Sequence, residues 1–155
     1  IGCLLQKHSS SHGAAAMQVK TLLNRVHSVK GFVYEKVTMI EDLNQPNGVR
    51  LDVQLRPRRN CRAISSCCAK RGLTYDTQPA RRFEFVPLWG IAVILVYAMR
   101  RVRCPHCEGV SVEWVPWAEP GSKRPLTMAY ACFLAGWAKH FERTTRGQRC
   151  RCRNT

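Results

Sequence analysis

The feature that most constrains this chain is Cys104-Pro105-His106-Cys107, with a second cysteine pair, Cys67-Cys68, upstream. Two thiolates separated by two residues can hold one metal ion while the backbone turns around it, and zinc accepts four such ligands at tetrahedral angles. One pair is therefore half a site. Cys67 and Cys68 stand a hairpin's length of strand away, and two knuckles joined by strands make a zinc ribbon. The upstream pair is irregular. A regular knuckle ending at Cys68 would begin at position 65, which is Ser65. Adjacent cysteines fit awkwardly on one tetrahedral centre, so Cys61 and His106 stand as alternative ligands. Cys67 or Cys61 could equally be a buried apolar residue. The expected ligand set is Cys68, Cys104, Cys107 and Cys67 around a structural Zn2+ ion. A redox motif is disfavoured: it needs a helix N-terminus to lower the thiol pKa, and here Gly109 and the strand-forming Val110-Ser111-Val112 follow.

The compartment bears on the same question. The opening residues lack the basic start, apolar stretch and small-residue cleavage site of an export signal. The longest apolar run, Val86 to Met99, is interrupted by Pro87 and Gly90 and is shorter than the about 20 residues a bilayer span requires. A cytoplasmic chain without membrane contact is expected. In a reducing compartment, nine cysteines point to metal binding or to accident, not to a disulfide frame.

Patterning divides the chain. Residues 1–16 are rich in Ser, His and Ala without period, and read as an extension outside the fold. Val19, Leu22, Leu23, Val26 and Val29 lie on one face of a helix. Phe32 to Ile40 reads as a strand, Asn44 to Gly48 as a turn, and Val49 to Leu55 alternates with period two. Residues 17–60 are thus a helix and a β-hairpin. Residues 61–118 are the ribbon-like module, with strands over Phe83–Leu88, Ile91–Val102 and Val110–Val115. Residues 119–140 open on a Pro/Gly break. Ser122 or Thr127 caps a helix whose apolar face is Leu126, Tyr130, Phe133, Leu134 and Trp137. Residues 141–155 read as a basic tail without regular structure. The fold class is α+β: an N-terminal helix, antiparallel strands with a zinc-ribbon-like module, and a C-terminal helix. Trp89, Trp114, Trp117 and Trp137 are expected in the packing, and His27 at the surface.

Charge supplies the partner. The formal net charge is +15, which favours polyanions. The clusters border the cysteine region, and Arg58, Arg59, Arg62, Arg71, Arg100, Arg101 and Arg103 are the expected phosphate contacts. The ten acidic residues form no pattern of converging carboxylates such as two-metal phosphoryl chemistry needs. No Gly-rich phosphate loop or Ser/His/Asp pattern is present either.

Several runs together resemble a known family. They are Arg81 through Ile91 (RRFEFVPLWGI), Arg100 through Cys107 (RRVRCPHC), Val115-Pro116-Trp117-Ala118, and Phe133 through Lys139 (FLAGWAK). In that order they are similar to the N-terminal part of ISL-three-type insertion-sequence transposases, over roughly Met17 to Lys139. The resemblance implies a zinc-finger region leading into a helix-turn-helix, with recognition of terminal inverted repeats. A catalytic domain with an acidic metal-binding triad would follow. By position, Cys104 and Cys107 match the second knuckle and Cys68 the end of the first. Ser65 replaces the first knuckle's leading cysteine, and Glu108 stands where a knuckle glycine is usual. After Lys139 the similarity stops, so the chain reads as a truncated transposase, inactive alone in DNA transposition and recombination. The resulting expectation is a metal-binding, DNA-binding module with no catalytic residues and no small-molecule substrate, open to self-association. The alternatives are a zinc-ribbon module that binds RNA or a protein, and a decayed gene product whose helix has lost its packing partner.

Overall fold

The alternating run from Val49 and the β-branched run from Ile91 both become strands, and they lie side by side. In the computed structural model, which describes residues 18–119 and 125–151, the elements are α1 (Val19–Val26), β1 (Phe32–Glu41), β2 (Val49–Pro57), β3 (Leu73–Leu88), β4 (Ile91–Arg103), β5 (Val110–Val112) and α2 (Met128–Arg151). The five strands form one sheet in the order β1-β2-β4-β3, with β5 also paired to β4. The class is α+β, as expected. The antiparallel expectation holds for β1–β2, β3–β4 and β4–β5, but β2 and β4 run parallel from Arg50↔Ala92 to Gln54↔Val96. Two hairpins therefore sit edge to edge. That pairing joins the two hairpins in one sheet. Strand alternation reports which face is buried and carries no information about which neighbour is paired.

One face of the sheet carries the core. Leu51, Val53 and Leu55 of β2 and Val93, Leu95, Tyr97 and Met99 of β4 are buried at every second position. Phe32 and Tyr34 of β1, Phe83 and Phe85 of β3, and Leu23 of α1 join them. Trp117 closes the cluster, meeting Phe32, Tyr97 and Phe83 edge-on at centroid distances of 4.8, 5.3 and 6.1 Å. Aromatic rings prefer this arrangement because the positive ring edge meets the negative ring face. Near the end of β4 the burial changes parity. Val102 and Cys104 are buried, on the side opposite Met99, under the segment that leads into β3. Gly72 lies so close there that a Cβ would stand 2.5 Å from Val102 Cγ1 and 2.7 Å from the Arg103 carbonyl oxygen.

Several local expectations are corrected. Helix α1 stops at Val26, which is 76% exposed, and Val29 reaches the core from the following loop. His27 is half-buried rather than a surface residue. Its Nδ1 lies 2.6 Å from the Tyr34 hydroxyl, and its ring packs edge-on against Phe85. Of the four tryptophans only Trp117 is buried; Trp89 is 78% exposed. Trp89 (φ 51°) and Gly90 (φ 78°) form the two-residue turn between β3 and β4, and two consecutive left-handed residues make a turn whose twist matches the strands. Thr127 caps α2, with the Tyr130 amide donating to its Oγ1 at 3.3 Å. Helix α2 continues to Arg151, so the expected tail is helical from 141 to 151. Basic, small and polar residues there hide the helical period that apolar residues would reveal. The 1–16 extension, the Ser122 cap and the last four residues lie outside the described residues. Among the described residues, no helix is long and apolar enough to cross a membrane.

Candidate metal centre and the basic face beside it

The β4–β5 hairpin turns through Cys104 to Gly109, and the connection between β2 and β3 turns through Ser65 to Lys70. The two turns match residue for residue. In one, the Ser65 amide donates to the Lys70 carbonyl at 2.8 Å; in the other, the Cys104 amide donates to the Gly109 carbonyl at 3.0 Å. The fifth position of each is left-handed, Ala69 at φ 57° and Glu108 at φ 48°. Non-glycine residues take that conformation at a cost of order 1 kcal/mol. Cys68 therefore corresponds to Cys107, and Ser65 to Cys104.

The turns are held against each other through β5. Ser65 pairs with Glu113, Ile64 pairs with Arg71 to close the first loop, and the Trp114 amide donates to the Ile64 carbonyl at 2.7 Å. This brings Cys68, Cys104 and Cys107 together with all three sulfurs within 4.8 Å of one another. Cys68 and Cys104 are 3.2 Å apart. Metal–sulfur bonds of about 2.3 Å at tetrahedral angles place sulfurs about 3.8 Å apart, so the three thiols could hold a metal ion after adjustments of up to about 1 Å. Among the described residues, no other three metal-ligating side chains converge in this way.

The thiols already influence one another. Cys68 is drawn down to about 7, first by the hydrogen bond from Cys104 and then by the Lys70 backbone amide. The hydrogen bond to Cys68, with further help from Cys67 and burial, pushes Cys107 up to about 12. The cluster therefore favours one thiolate shared among its sulfurs and disfavours ionising all of them together. A metal must expel the remaining thiol protons, which makes binding tighter as pH rises.

The remaining sequence candidates divide. Cys67 is exposed and outside the three-cysteine group, although its thiol reaches Cys107. Cys61 is removed from the centre: its sulfur lies over Gly31, 2.6 Å from where a Cβ would stand. His106 is exposed and does not join the thiols. Buried Ser65 sits at the centre instead. Its Oγ accepts the Cys67 amide at 3.2 Å, lies 2.8 Å from Ser111 Oγ, and contributes to stabilising the Cys68 thiolate.

The expected phosphate contacts form two groups. Arg58, Arg62 and Arg71 line a cavity of about 410 Å³ together with Lys30, over a floor that includes Phe32, Ile64 and Trp114. These four cations are exposed, and among the described residues none forms an ion pair. Arg59 is exposed on the same loop. Against the edge strand β3, Arg101 of β4 pairs with Asp76, and Arg101 and Arg103 both lie over the Tyr75 ring, at 5.6 and 5.1 Å. Arg100 is used internally. Its guanidinium gives two bonds to Glu113 Oε2, at 2.9 and 2.7 Å, and one to the Cys61 carbonyl at 3.1 Å. Burial would lower its pKa, but the hydrogen bonds and charge of Glu113 more than offset that and raise it. Sequence reasoning missed Glu113 and Lys30. Glu113 is the acid in an otherwise apolar, small and aromatic stretch, Val110 to Trp117, and an isolated acid in a strand is the signal that could have found it.

Comparison with protein-family models, curated proteins and solved structures finds no significant match to the chain.

Proposed function

We propose that the chain is a zinc-stabilised, non-catalytic DNA-binding module, of the type that precedes the catalytic domain of an insertion-sequence transposase. One observation carries this reading: the loop that contributes Cys68 to the thiol cluster also carries Arg58, Arg62 and Arg71 around the cavity. A thiolate-rich, tetrahedral donor set suits zinc over the harder divalent cations. A metal bridging Cys68 to Cys104 and Cys107 would pin the 58–72 loop to the sheet. The unpaired cations would then be ordered before DNA arrives, reducing the entropy lost on binding. The net charge of +15 adds non-specific attraction to a phosphate backbone.

The test is fluorescence anisotropy of a short, mixed-sequence duplex with the zinc-loaded full chain. Four phosphate contacts predict a log K against log salt slope of about −3 to −4. The double variant Arg58→Ala/Arg71→Ala should lower that slope by about two units, and a chelator should weaken binding. Salt-independent binding, or binding indifferent to the variant, would refute the reading. The exposed row Phe133, Leu134, Trp137 and Phe141 on α2 favours the second reading, a protein partner.

A further inference from the structure

The matched turns leave one corner of the metal site to be assigned, and it falls on Ser65. Three corners are sulfur: Cys104 and Cys107 from one turn, Cys68 from the other. The fourth corner of such a centre is the residue that opens the first turn, just as Cys104 opens the second. That residue has no exposed surface. Its hydroxyl receives the Cys67 amide at 3.2 Å, lies 2.8 Å from Ser111 Oγ, and is within hydrogen-bonding reach of Cys68. The amide bond from two residues on is the contact that a leading thiolate would receive in the same turn, and here an oxygen receives it. Cys67 competes less well for the corner, since its sulfur lies outside the group that Cys68, Cys104 and Cys107 form, although it reaches Cys107.

We propose that the centre is a three-sulfur, one-oxygen site in which Ser65 Oγ is the fourth ligand to a divalent metal. This rests on the metal reading above and adds one residue to it. The chemistry differs from that of a four-thiolate site. Oxygen binds zinc at about 2.0–2.2 Å against about 2.3 Å for sulfur, and a serine hydroxyl is a neutral donor unless the metal deprotonates it. Three thiolates and a neutral oxygen carry less charge onto the ion than four thiolates do. The site therefore binds its metal more weakly than a full cysteine set, and it exchanges the metal more readily.

The experiment uses the full chain loaded with Co2+ as a spectroscopic probe, together with Ser65→Cys, Ser65→Ala and Cys67→Ser. Sulfur-to-cobalt charge-transfer intensity counts thiolates, and the ligand-field bands report the donor set. The wild type should show three thiolates. Ser65→Cys should raise charge-transfer intensity by about one third, move the ligand-field bands to longer wavelength, and tighten Zn2+ binding at least tenfold by chelator competition. Ser65→Ala should keep three thiolates while shifting the ligand-field bands and loosening Zn2+. Cys67→Ser should change neither spectrum nor affinity. A wild-type count of four thiolates that drops to three in Cys67→Ser would overturn the proposal, as would a Ser65→Ala spectrum identical to wild type. Absence of any metal binding by the reduced wild type would overturn the underlying metal reading as well, which separates the two failures.

Discussion

Removing the Glu113 carboxylate should be among the most damaging single changes available to this chain. Glu113 is 2% exposed and accepts four hydrogen bonds: from the Tyr97 hydroxyl at 2.6 Å, the Arg100 amide at 2.7 Å, and Arg100 Nε and Nη2 at 2.9 and 2.7 Å. Glu113→Ala leaves the Tyr97 hydroxyl without its acceptor. It also strands the Arg100 charge, whose side chain is 13% exposed, with the Cys61 carbonyl as its remaining bond. Breaking a buried pair from one side costs about 3–5 kcal/mol, against a total domain stability of about 5–15 kcal/mol. With a urea m-value of about 1–3 kcal/mol/M, the midpoint should fall by at least 1 M. The assay is urea unfolding of the zinc-loaded chain, followed by tryptophan fluorescence. The double variant Arg100→Met/Glu113→Gln removes both charges and keeps an acceptor for Tyr97, so it should be less damaging than Glu113→Ala. A loss below about 1 kcal/mol, the value of an exposed pair, would refute the view that this is a buried, structural ion pair. So would a double variant worse than the single.

Three further outcomes follow from other parts of the structure. Trp89→Asn should stabilise the chain by about 1 kcal/mol in the same unfolding assay, because Trp89 is exposed and left-handed (φ 51°) and asparagine tolerates that conformation better. Gly72→Ala should cost about 1–3 kcal/mol through overpacking and weaken Zn2+ in chelator competition, since the new methyl would displace the loop carrying Cys68 from the Arg103 carbonyl. Alkaline pH should unfold the chain early. Burial pushes the Tyr34 phenol up to about 12, and burial followed by the bond to Glu113 raises Tyr97 further. A raised folded pKa stabilises fully below the unfolded value near 10 and loses its contribution above it, so melting temperature should drop between about pH 10 and 12, with the share of phenolate absorbance that belongs to Tyr34 and Tyr97 appearing only on unfolding.

The elements were legible in the sequence where one periodicity dominated. Val49 to Leu55 alternates cleanly and became β2, and Thr127 stood before an apolar helical face and became the α2 cap. Pairing was not legible. The parallel match of Arg50–Gln54 with Ala92–Val96 joins strands distant in sequence, and strand patterns specify a face, not a neighbour. The metal centre was half legible. Cys104 and Cys107 announce themselves by spacing, and Cys68 follows from their need for partners. The remaining ligand stayed open between Cys67, Cys61 and His106, and the three-cysteine group includes none of them; the left-handed Ala69 that shapes the first turn is an alanine and gives no warning of that conformation. Among the arginines, sequence gave seven equal candidates, and only the position of Glu113 across from Arg100 separates an internal cation from the exposed ones.

The most direct test of the metal centre is zinc stoichiometry on the reduced full chain by native mass spectrometry, compared with Cys104→Ala and Cys107→Ala. One zinc per chain, lost in both variants and accompanied by protection of Cys68 from alkylation, is the predicted result. No zinc under reducing conditions, or one zinc that survives either substitution, would contradict it.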